Sequence, residues 1–235
     1  MTGRGITIVG LGPAGAEYLT REAWAHLEQC DEIWLRTKFH PAVAGLPESV
    51  QVRSFDEVYD SSDDIGSVLE TIVQQVLELG KREQGVTYGV PGSPFVAEET
   101  VSEVMKVVAG SGLPIRLIDG VSFIEPVCSA LGIDLHPQMV LADALHIAQL
   151  EVPSFPPTIP ALISQLDSSF EASELKLTLM ANYPLEHPVM LVHNAGTSDE
   201  IIEKLALYEI DQSVHLGMLT CLYVPALSQG TSFED

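Results

Sequence analysis

The chain has 235 residues, enough to bury a substantial core in one compact unit or two small lobes. Eleven basic and thirty-three acidic side chains give a formal net charge of −22, which repels phosphate backbones and anionic lipids. We therefore expect no nucleic-acid partner and no membrane partner. The N-terminal residues lack the pattern of a secretory signal, and no apolar run is long enough for a membrane span, so a soluble cytoplasmic protein is expected.

Apolar segments of strand length alternate with amphipathic segments of helix length, a rhythm typical of an α/β fold. In the N-terminal lobe, residues 1–150, the predicted strands are 6–10, 32–37, 50–55, 85–90 and 114–119, and the predicted helices are 20–30, 65–83, 96–112 and 122–132. Thr20 is the expected N-cap of the first helix. The segment 138–146 is expected to close this lobe.

The segment 151–160 contains four prolines in ten residues and cannot form regular structure, so it is interpreted as the linker between two lobes. The C-terminal α/β lobe is expected over 161–230, followed by a polar tail at 231–235. Within this lobe the predicted strands are 160–166 and 189–196, the predicted helices are 172–183 and 198–210, and a long apolar run spans 214–227.

The stretch GLGPAG, residues 10–15, directly follows the first predicted strand and satisfies the pattern G-x-G-x-x-G of dinucleotide-binding loops. The next helical pattern begins only near Thr20, and the second strand ends in Arg36 rather than in the acidic residue that binds a ribose. Arg36 suits a 2′-phosphate, so an NADP site remains an alternative. A tight turn explains Gly10 and Gly12 equally well.

Two further loops with glycine or proline follow predicted strands, VPGSP at 90–94 and DGVS at 119–122. Ligands of open α/β sheets bind beyond the carboxyl ends of the strands, where these loops are expected. Glycine permits close backbone approach, and Pro91 and Pro94 stiffen the second loop before a ligand arrives. The three loops together predict a cleft for a polar small molecule, and three ordinary turns remain the alternative.

The motifs VGLGPAG, PGSPF and DGVSF, in this order and spacing, resemble those of the tetrapyrrole methylase family, the class III S-adenosylmethionine-dependent methyltransferases. The stretches PGSPFVAEE and HPVMLVHNAG, with the closing SFED, are similar to the N-terminal domain of proteins that fuse this methylase to a MazG-type nucleotide pyrophosphohydrolase. The resemblance implies two α/β lobes with S-adenosylmethionine in the cleft between them, a homodimer, and a possible C-terminal pyrophosphohydrolase domain in the full protein.

The resemblance also implies which residues bind the cofactor. These are Pro13 in the first loop, Gly92, Ser93 and Val96 in the second, Ser122 and Phe123 after the third strand end, and, as looser matches, Gln165 and Ala195 in the second lobe. Ser93 stands where the family usually has aspartate. This departure puts the class of methyl acceptor in doubt.

Two functions are consistent with these features. The first is a methyltransferase that uses S-adenosylmethionine on an unidentified small-molecule acceptor, and no residue is identifiable as a general base. The second is a non-catalytic module that binds this cofactor or a nucleoside and regulates a fused pyrophosphohydrolase. The histidines of the second lobe, His187, His193 and His215, are spread over separate predicted elements and are interpreted as core or surface residues.

Overall fold

A computed structural model describes residues 4–60 and 64–227. The chain divides into two compact units, Met1–Glu125 and Pro126–Asp235. Each unit contains a five-stranded sheet with helices, which agrees with the predicted α/β class. The predicted tail at 231–235 lies outside the described residues. Among the residues described, none of the helices combines the length and apolar character needed to cross a bilayer.

The first unit is built from strands and helices that alternate along the chain. They are β1 (Ile6–Gly10), α1 (Arg21–Leu27), β2 (Glu32–Leu35), β3 (Gln51–Ser54), α2 (Asp56–Tyr59), α3 (Ile65–Gly80), β4 (Val86–Val90), α4 (Glu99–Val108) and β5 (Ile115–Ile118), with α5 (Ile124–Leu131) running into the second unit. Thr20 caps α1 as predicted, because its side chain accepts a hydrogen bond from the Ala23 amide at 3.1 Å.

The sheet of the first unit is parallel throughout and has the strand order β3-β2-β4-β1-β5. Successive side chains of β1 point to opposite faces: Ile8 joins the core formed with α3 and α4, and Val9 packs with Ala23 of α1. Both faces of the sheet are therefore covered, which explains why all five residues of β4 are buried.

The second unit contains a mixed sheet with the order β6-β7-β10-β8-β9. Its elements are β6 (Val140–Asp143), α6 (Ala144–Ala148), β7 (Ala161–Ser164), α7 (Ser169–Leu179), β8 (Pro188–His193), β9 (Ile201–Ala206) and β10 (Thr220–Val224). The β6–β7 pair is parallel and the other pairs are antiparallel. One core, which includes Leu175, Leu191 and Leu222, joins this sheet to α6 and α7.

The segment predicted to close the N-terminal lobe belongs instead to the second sheet. Strand β6 pairs in parallel with β7, and Val140 lies opposite Ala161. Residues 151–160 contain no helix or strand, as their prolines predict, but they lie within the second unit, where they connect α6 to β7. They are therefore the crossover between two parallel strands and not a linker between the units.

The prediction of a helix over 198–210 is wrong. Residues Ile201–Ala206 form β9, which pairs along its whole length with β8, and a short 3₁₀ segment follows at Leu207–Gln212. Within the apolar run 214–227, Thr220–Val224 form β10, the central strand of the second sheet, which is largely buried, whereas Val214 and Met218 are exposed. Dimerisation stays a prediction that rests on the family resemblance.

Candidate functional site

The three loops predicted to form a cleft lie at one edge of the first sheet. Strands β4, β1 and β5 are adjacent and parallel, so their carboxyl ends meet there. The first two loops are joined directly, because the Gly92 amide donates to the Gly12 carbonyl at 2.8 Å and the Gly12 amide donates to the Gly92 carbonyl at 3.2 Å. We call the backbone of Gly10, Gly12, Gly92 and Gly120 the glycine cradle.

The members of the glycine cradle approach each other closely enough to exclude side chains. A Cβ atom on Gly120 would lie 2.2 Å from the Gly92 carbonyl oxygen, and one on Gly10 would lie 2.6 Å from the Gly120 nitrogen. These neighbours are backbone atoms, which cannot rotate away. Glycine is therefore required at Gly10 and Gly120 for the three loops to meet.

Gly92 differs from the other two because its missing side chain would point into open space. Its φ angle is +62°, in the left-handed region that favours glycine. A Cβ atom there would have only the Val121 carbonyl oxygen within 4.0 Å. The Gly92 backbone is therefore open to a ligand from this side.

The other residues predicted in the second loop surround this open position. Pro94 is buried, and Ser93 and Val96 are half-buried. The Val96 amide donates to the Ser93 carbonyl at 3.2 Å, which closes a tight turn. The Ser93 hydroxyl accepts a long hydrogen bond, 3.5 Å, from the Phe95 amide. The turn fixes the loop before any ligand binds.

Pro13 and Phe123 lie in the loops on either side of the second loop. Pro13 is buried in the turn after Gly12, and Phe123 is half-buried at the start of α5. The hydroxyl of Ser122 is already used: it donates to the Glu125 carboxylate at 2.6 Å and accepts from the Ile124 amide at 3.0 Å. Ser122 thus helps to begin α5, and its predicted contact with a cofactor stays a prediction.

A partly buried polar network lies next to the second loop. The Arg36 guanidinium is 2.8 Å from the Glu98 carboxylate and donates to the Tyr59 hydroxyl at 3.0 Å. The other Glu98 oxygen accepts from the Thr100 hydroxyl at 2.6 Å, and Thr100 also bonds the hydroxyl of Tyr88 at 2.8 Å. The network ties the end of β2 to the start of α4, so it holds both ends of the loop between β4 and α4 in place.

This network removes the basis for the NADP alternative. Burial acts to lower the pKa of Arg36, but the Glu98 carboxylate and the Tyr59 hydroxyl outweigh it, so the pKa of Arg36 is raised. A paired guanidinium is not available for a 2′-phosphate. In addition, the first loop is followed by a single 3₁₀ turn, Ala16–Tyr18, and α1 begins only at Arg21, so the loop does not lead directly into an α-helix as it does in a dinucleotide-binding site.

The two predicted residues of the second unit lie at one edge of the second sheet. Gln165 follows β7 and Ala195 comes shortly after β8, and both strands pair with β10, which lies between them. Gln165 is exposed and has a φ of 62°, a left-handed conformation that is uncommon for residues other than glycine. No sequence signal reveals this conformation.

The structure brings together two histidines that the sequence places on separate elements. His193 is buried; its Nε2 atom lies 2.9 Å from the Glu203 carboxylate and its Nδ1 atom lies 3.0 Å from the Thr220 hydroxyl. The ring of His215 packs 5.7 Å from that of His193. Burial lowers the pKa of His193 although Glu203 opposes the shift, so the His193 ring is neutral at pH 7.

Comparison with known proteins assigns the chain to a family. The model of the Tetrapyrrole (Corrin/Porphyrin) Methylases matches residues 5–211. The chain belongs to this family. The uncharacterised protein YabN of Bacillus subtilis (strain 168) is 34% identical over 227 residues, which cover 95% of this chain and 45% of YabN. The chain thus spans about half the length of this curated relative.

Solved structures of this family share the fold of the chain. The uroporphyrin-III C-methyltransferase of Thermus thermophilus has a TM-score of 0.70 at 21% identity, with 95% of this chain and 93% of that chain covered. The cobalt precorrin-4 methyltransferase CbiF has a TM-score of 0.70 at 17% identity, with 94% of each chain covered. A Thermus thermophilus uroporphyrin-III C-methyltransferase complexed with S-adenosylhomocysteine has a TM-score of 0.64 at 16% identity, with 94% of this chain and 97% of that chain covered. This methylase-family chain therefore has the expected two-lobe α/β fold.

Proposed function

We propose that this protein is a methyltransferase that uses S-adenosylmethionine to methylate a small-molecule acceptor. The observation that carries the proposal is the glycine cradle, whose backbone is closely packed at Gly10 and Gly120 and open to a ligand at Gly92. Membership of the tetrapyrrole methylase family supports the reaction, and the related enzyme complexed with S-adenosylhomocysteine supports the cofactor.

Methyl transfer demands mainly binding and orientation from the protein. The sulfonium group of the cofactor supplies an electrophilic methyl group, so the carbon–sulfur bond breaks with its electron pair left on sulfur while the acceptor forms a bond to the methyl carbon. The backbone at Gly92 and the side chains of Ser93 and Val96 would hold the cofactor. Pro91, Pro94 and the Arg36–Glu98 pair keep this loop rigid, which reduces the entropy lost on binding.

The class of acceptor stays open, because this chain has Ser93 where the family usually has aspartate. A hydroxyl group cannot supply the negative charge of a carboxylate, neither as a base nor as an ion-pair partner. We therefore assign the reaction to the protein but leave the acceptor to be identified by experiment.

Two assembly predictions accompany the proposal. The similarity to methylase domains fused to a MazG-type pyrophosphohydrolase, together with a curated relative of about twice the length, supports a further domain in the full protein. The family resemblance supports a homodimer. Sedimentation-velocity measurements at micromolar concentration check the dimer, and a single monomeric species would remove it.

The reaction is tested by incubating the protein and S-adenosylmethionine with the small-molecule fraction of a cell extract. Mass spectrometry should detect S-adenosylhomocysteine that depends on both the protein and the extract, together with a new compound heavier than its precursor by one methylene unit. A protein that binds the cofactor but forms no product with any fraction would instead be a cofactor-binding module.

A further inference from the structure

The side chain of His40 is buried directly behind the first glycine loop. The residue is 6% exposed and precedes the 3₁₀ segment Pro41–Gly45. Its Nδ1 atom accepts a hydrogen bond from the Ala42 amide at 3.2 Å. The segment packs against the turn after GLGPAG so closely that a Cβ atom on Gly45 would lie 2.5 Å from the Cβ atom of Ala16. His40 is thus held in place by elements next to the cradle.

The hydrogen bond at Nδ1 determines which nitrogen carries the proton. An Nδ1 atom that accepts from an amide has no hydrogen, so the neutral ring carries its proton on Nε2. Burial lowers the pKa of His40 to about 4, with the Gly12 backbone acting in the opposite direction, so the ring is neutral at pH 7. His40 therefore presents a single N–H donor at Nε2.

This donor has no partner with full hydrogen-bond geometry among the described residues, although it is buried. Ala42, whose amide bonds His40, belongs to the same apolar cluster as Leu11, the residue before Gly12, which places the His40 ring beside the first loop. The Gly12 backbone also acts on the pKa of His40, and its only acceptor is the carbonyl oxygen. That oxygen already accepts from the Gly92 amide at 2.8 Å, and its second lone pair can accept from Nε2–H. A buried N–H without an acceptor is costly, so a small movement that completes this bond is favourable.

We propose, on the basis of the function proposed above, that His40 is a positioning residue of the methylase site. Its Nε2–H group holds the Gly12 carbonyl and, through the Gly12–Gly92 pair, keeps the glycine cradle in the shape that receives the cofactor. Arg36 plays the matching part for the second loop through Glu98. Arg36 and His40, which both follow β2, therefore help to hold two of the three loops in place.

Two substitutions separate the donor role of His40 Nε2 from the acceptor role of its Nδ1 atom. In His40→Asn the side-chain oxygen can still accept from the Ala42 amide, but no N–H group reaches the position of Nε2. In His40→Gln the longer side chain places an amide N–H group near that position. The two variants are close in polarity, so a difference between them reports the donor rather than the loss of an imidazole.

Two measurements follow each variant. NMR-detected hydrogen exchange compares the Gly92 amide, which donates to Gly12, with the Leu207 amide, which donates to the His187 carbonyl in the second unit. Calorimetry measures the affinity for S-adenosylhomocysteine. His40→Asn should speed exchange at Gly92 and weaken affinity by about three- to tenfold each, with Leu207 unchanged. His40→Gln should stay within about twofold of the wild type in both.

The exchange measurement needs no ligand, so it separates this inference from the proposed function. If the wild-type protein binds no S-adenosylhomocysteine, the proposed function fails. Hydrogen exchange at the Gly92 amide still tests whether His40 holds the Gly12–Gly92 pair in place. Unchanged exchange at Gly92 in His40→Asn overturns the inference. The inference is also overturned if His40→Asn speeds hydrogen exchange equally at Gly92 and Leu207, because that result indicates general destabilisation. It is overturned as well if His40→Gln weakens affinity and speeds exchange as much as His40→Asn, because the N–H donor then makes no difference.

Discussion

The substitution Gly120→Ala tests whether the three loops meet as closely as the structure describes. The added methyl carbon would lie 2.2 Å from the Gly92 carbonyl oxygen and 2.8 Å from two backbone atoms of Gly10. Favourable contacts between carbon atoms begin at roughly 3.5 Å, so the clash cannot be absorbed without moving a loop. All three of these neighbours are backbone atoms, and no side-chain rotation can relieve it.

Overpacking of a well-packed site costs about 1–3 kcal/mol, and we expect the upper end because only backbone can move. At roughly 2–4 °C per kcal/mol for a protein of this size, Tm should fall by about 6–12 °C. The movement also separates Gly92 from Gly12, so the affinity for S-adenosylhomocysteine should weaken by at least about tenfold, equivalent to about 1.4 kcal/mol.

Gly110→Ala is the matched control for this experiment. Gly110 follows α4, nothing lies within 4 Å of a Cβ atom there, and its φ is not in the left-handed region. Its substitution should change stability by no more than about 0.5 kcal/mol and leave affinity unaltered. Thermal unfolding and calorimetry on both variants provide the comparison. A Gly120→Ala protein with wild-type Tm and wild-type affinity would refute the close packing of the cradle.

Three further predictions follow from the same region. Glu98→Gln leaves the partly buried Arg36 without its charge partner and should lower stability by about 2 kcal/mol in thermal unfolding; an unchanged Tm would show that the pair does not brace the loop. Burial lowers the pKa of His40 to about 4, below its unfolded value, so the unfolded state binds a proton first as the pH falls. Between pH 7 and 5.5 the free energy of unfolding of the wild type should therefore fall by about 1 kcal/mol more than that of His40→Gln. Chemical denaturation at the two pH values measures this difference, and an equal fall in both proteins would argue against it. Ser93→Ala should weaken S-adenosylhomocysteine binding by about 0.5–1.5 kcal/mol if the hydroxyl bonds the ligand, and equal affinities by calorimetry would exclude that bond.

The convergence of the three loops could be predicted from the sequence because the information is local. Each loop directly follows a strand-like run, and the carboxyl ends of parallel strands share an edge of the sheet. The cap at Thr20 is equally local, since one hydroxyl and one helix start are enough to specify it.

The secondary-structure and domain predictions that are wrong concern segments whose structure depends on pairing with distant strands. The stretch 198–210 has the spacing of a helix, yet its first part becomes the edge strand β9, because pairing with β8 satisfies its backbone and outweighs local propensity. Likewise, only pairing with β7 reveals that β6 belongs to the second sheet.

The parts of the candidate site that sequence reasoning missed depend on contacts between distant residues. The motif KFHPAV indicates only a turn led by proline, whereas the structure buries His40 at the start of a 3₁₀ segment that packs against the turn after the first glycine loop. Arg36 looks like a phosphate ligand until its partner Glu98, more than sixty residues away, is known. The left-handed conformation of Gln165 has no compositional signal, because glutamine does not favour it.

The central claim, that the glycine cradle binds the methyl-donor cofactor, is tested most directly by calorimetric titration of the wild-type protein with S-adenosylhomocysteine. NADPH and ATP serve as competitors, and Gly120→Ala serves as the negative control. The account predicts saturable binding of S-adenosylhomocysteine that neither nucleotide displaces and that Gly120→Ala weakens by at least about tenfold. Binding of NADPH without binding of S-adenosylhomocysteine, or equal affinity in Gly120→Ala, would contradict it.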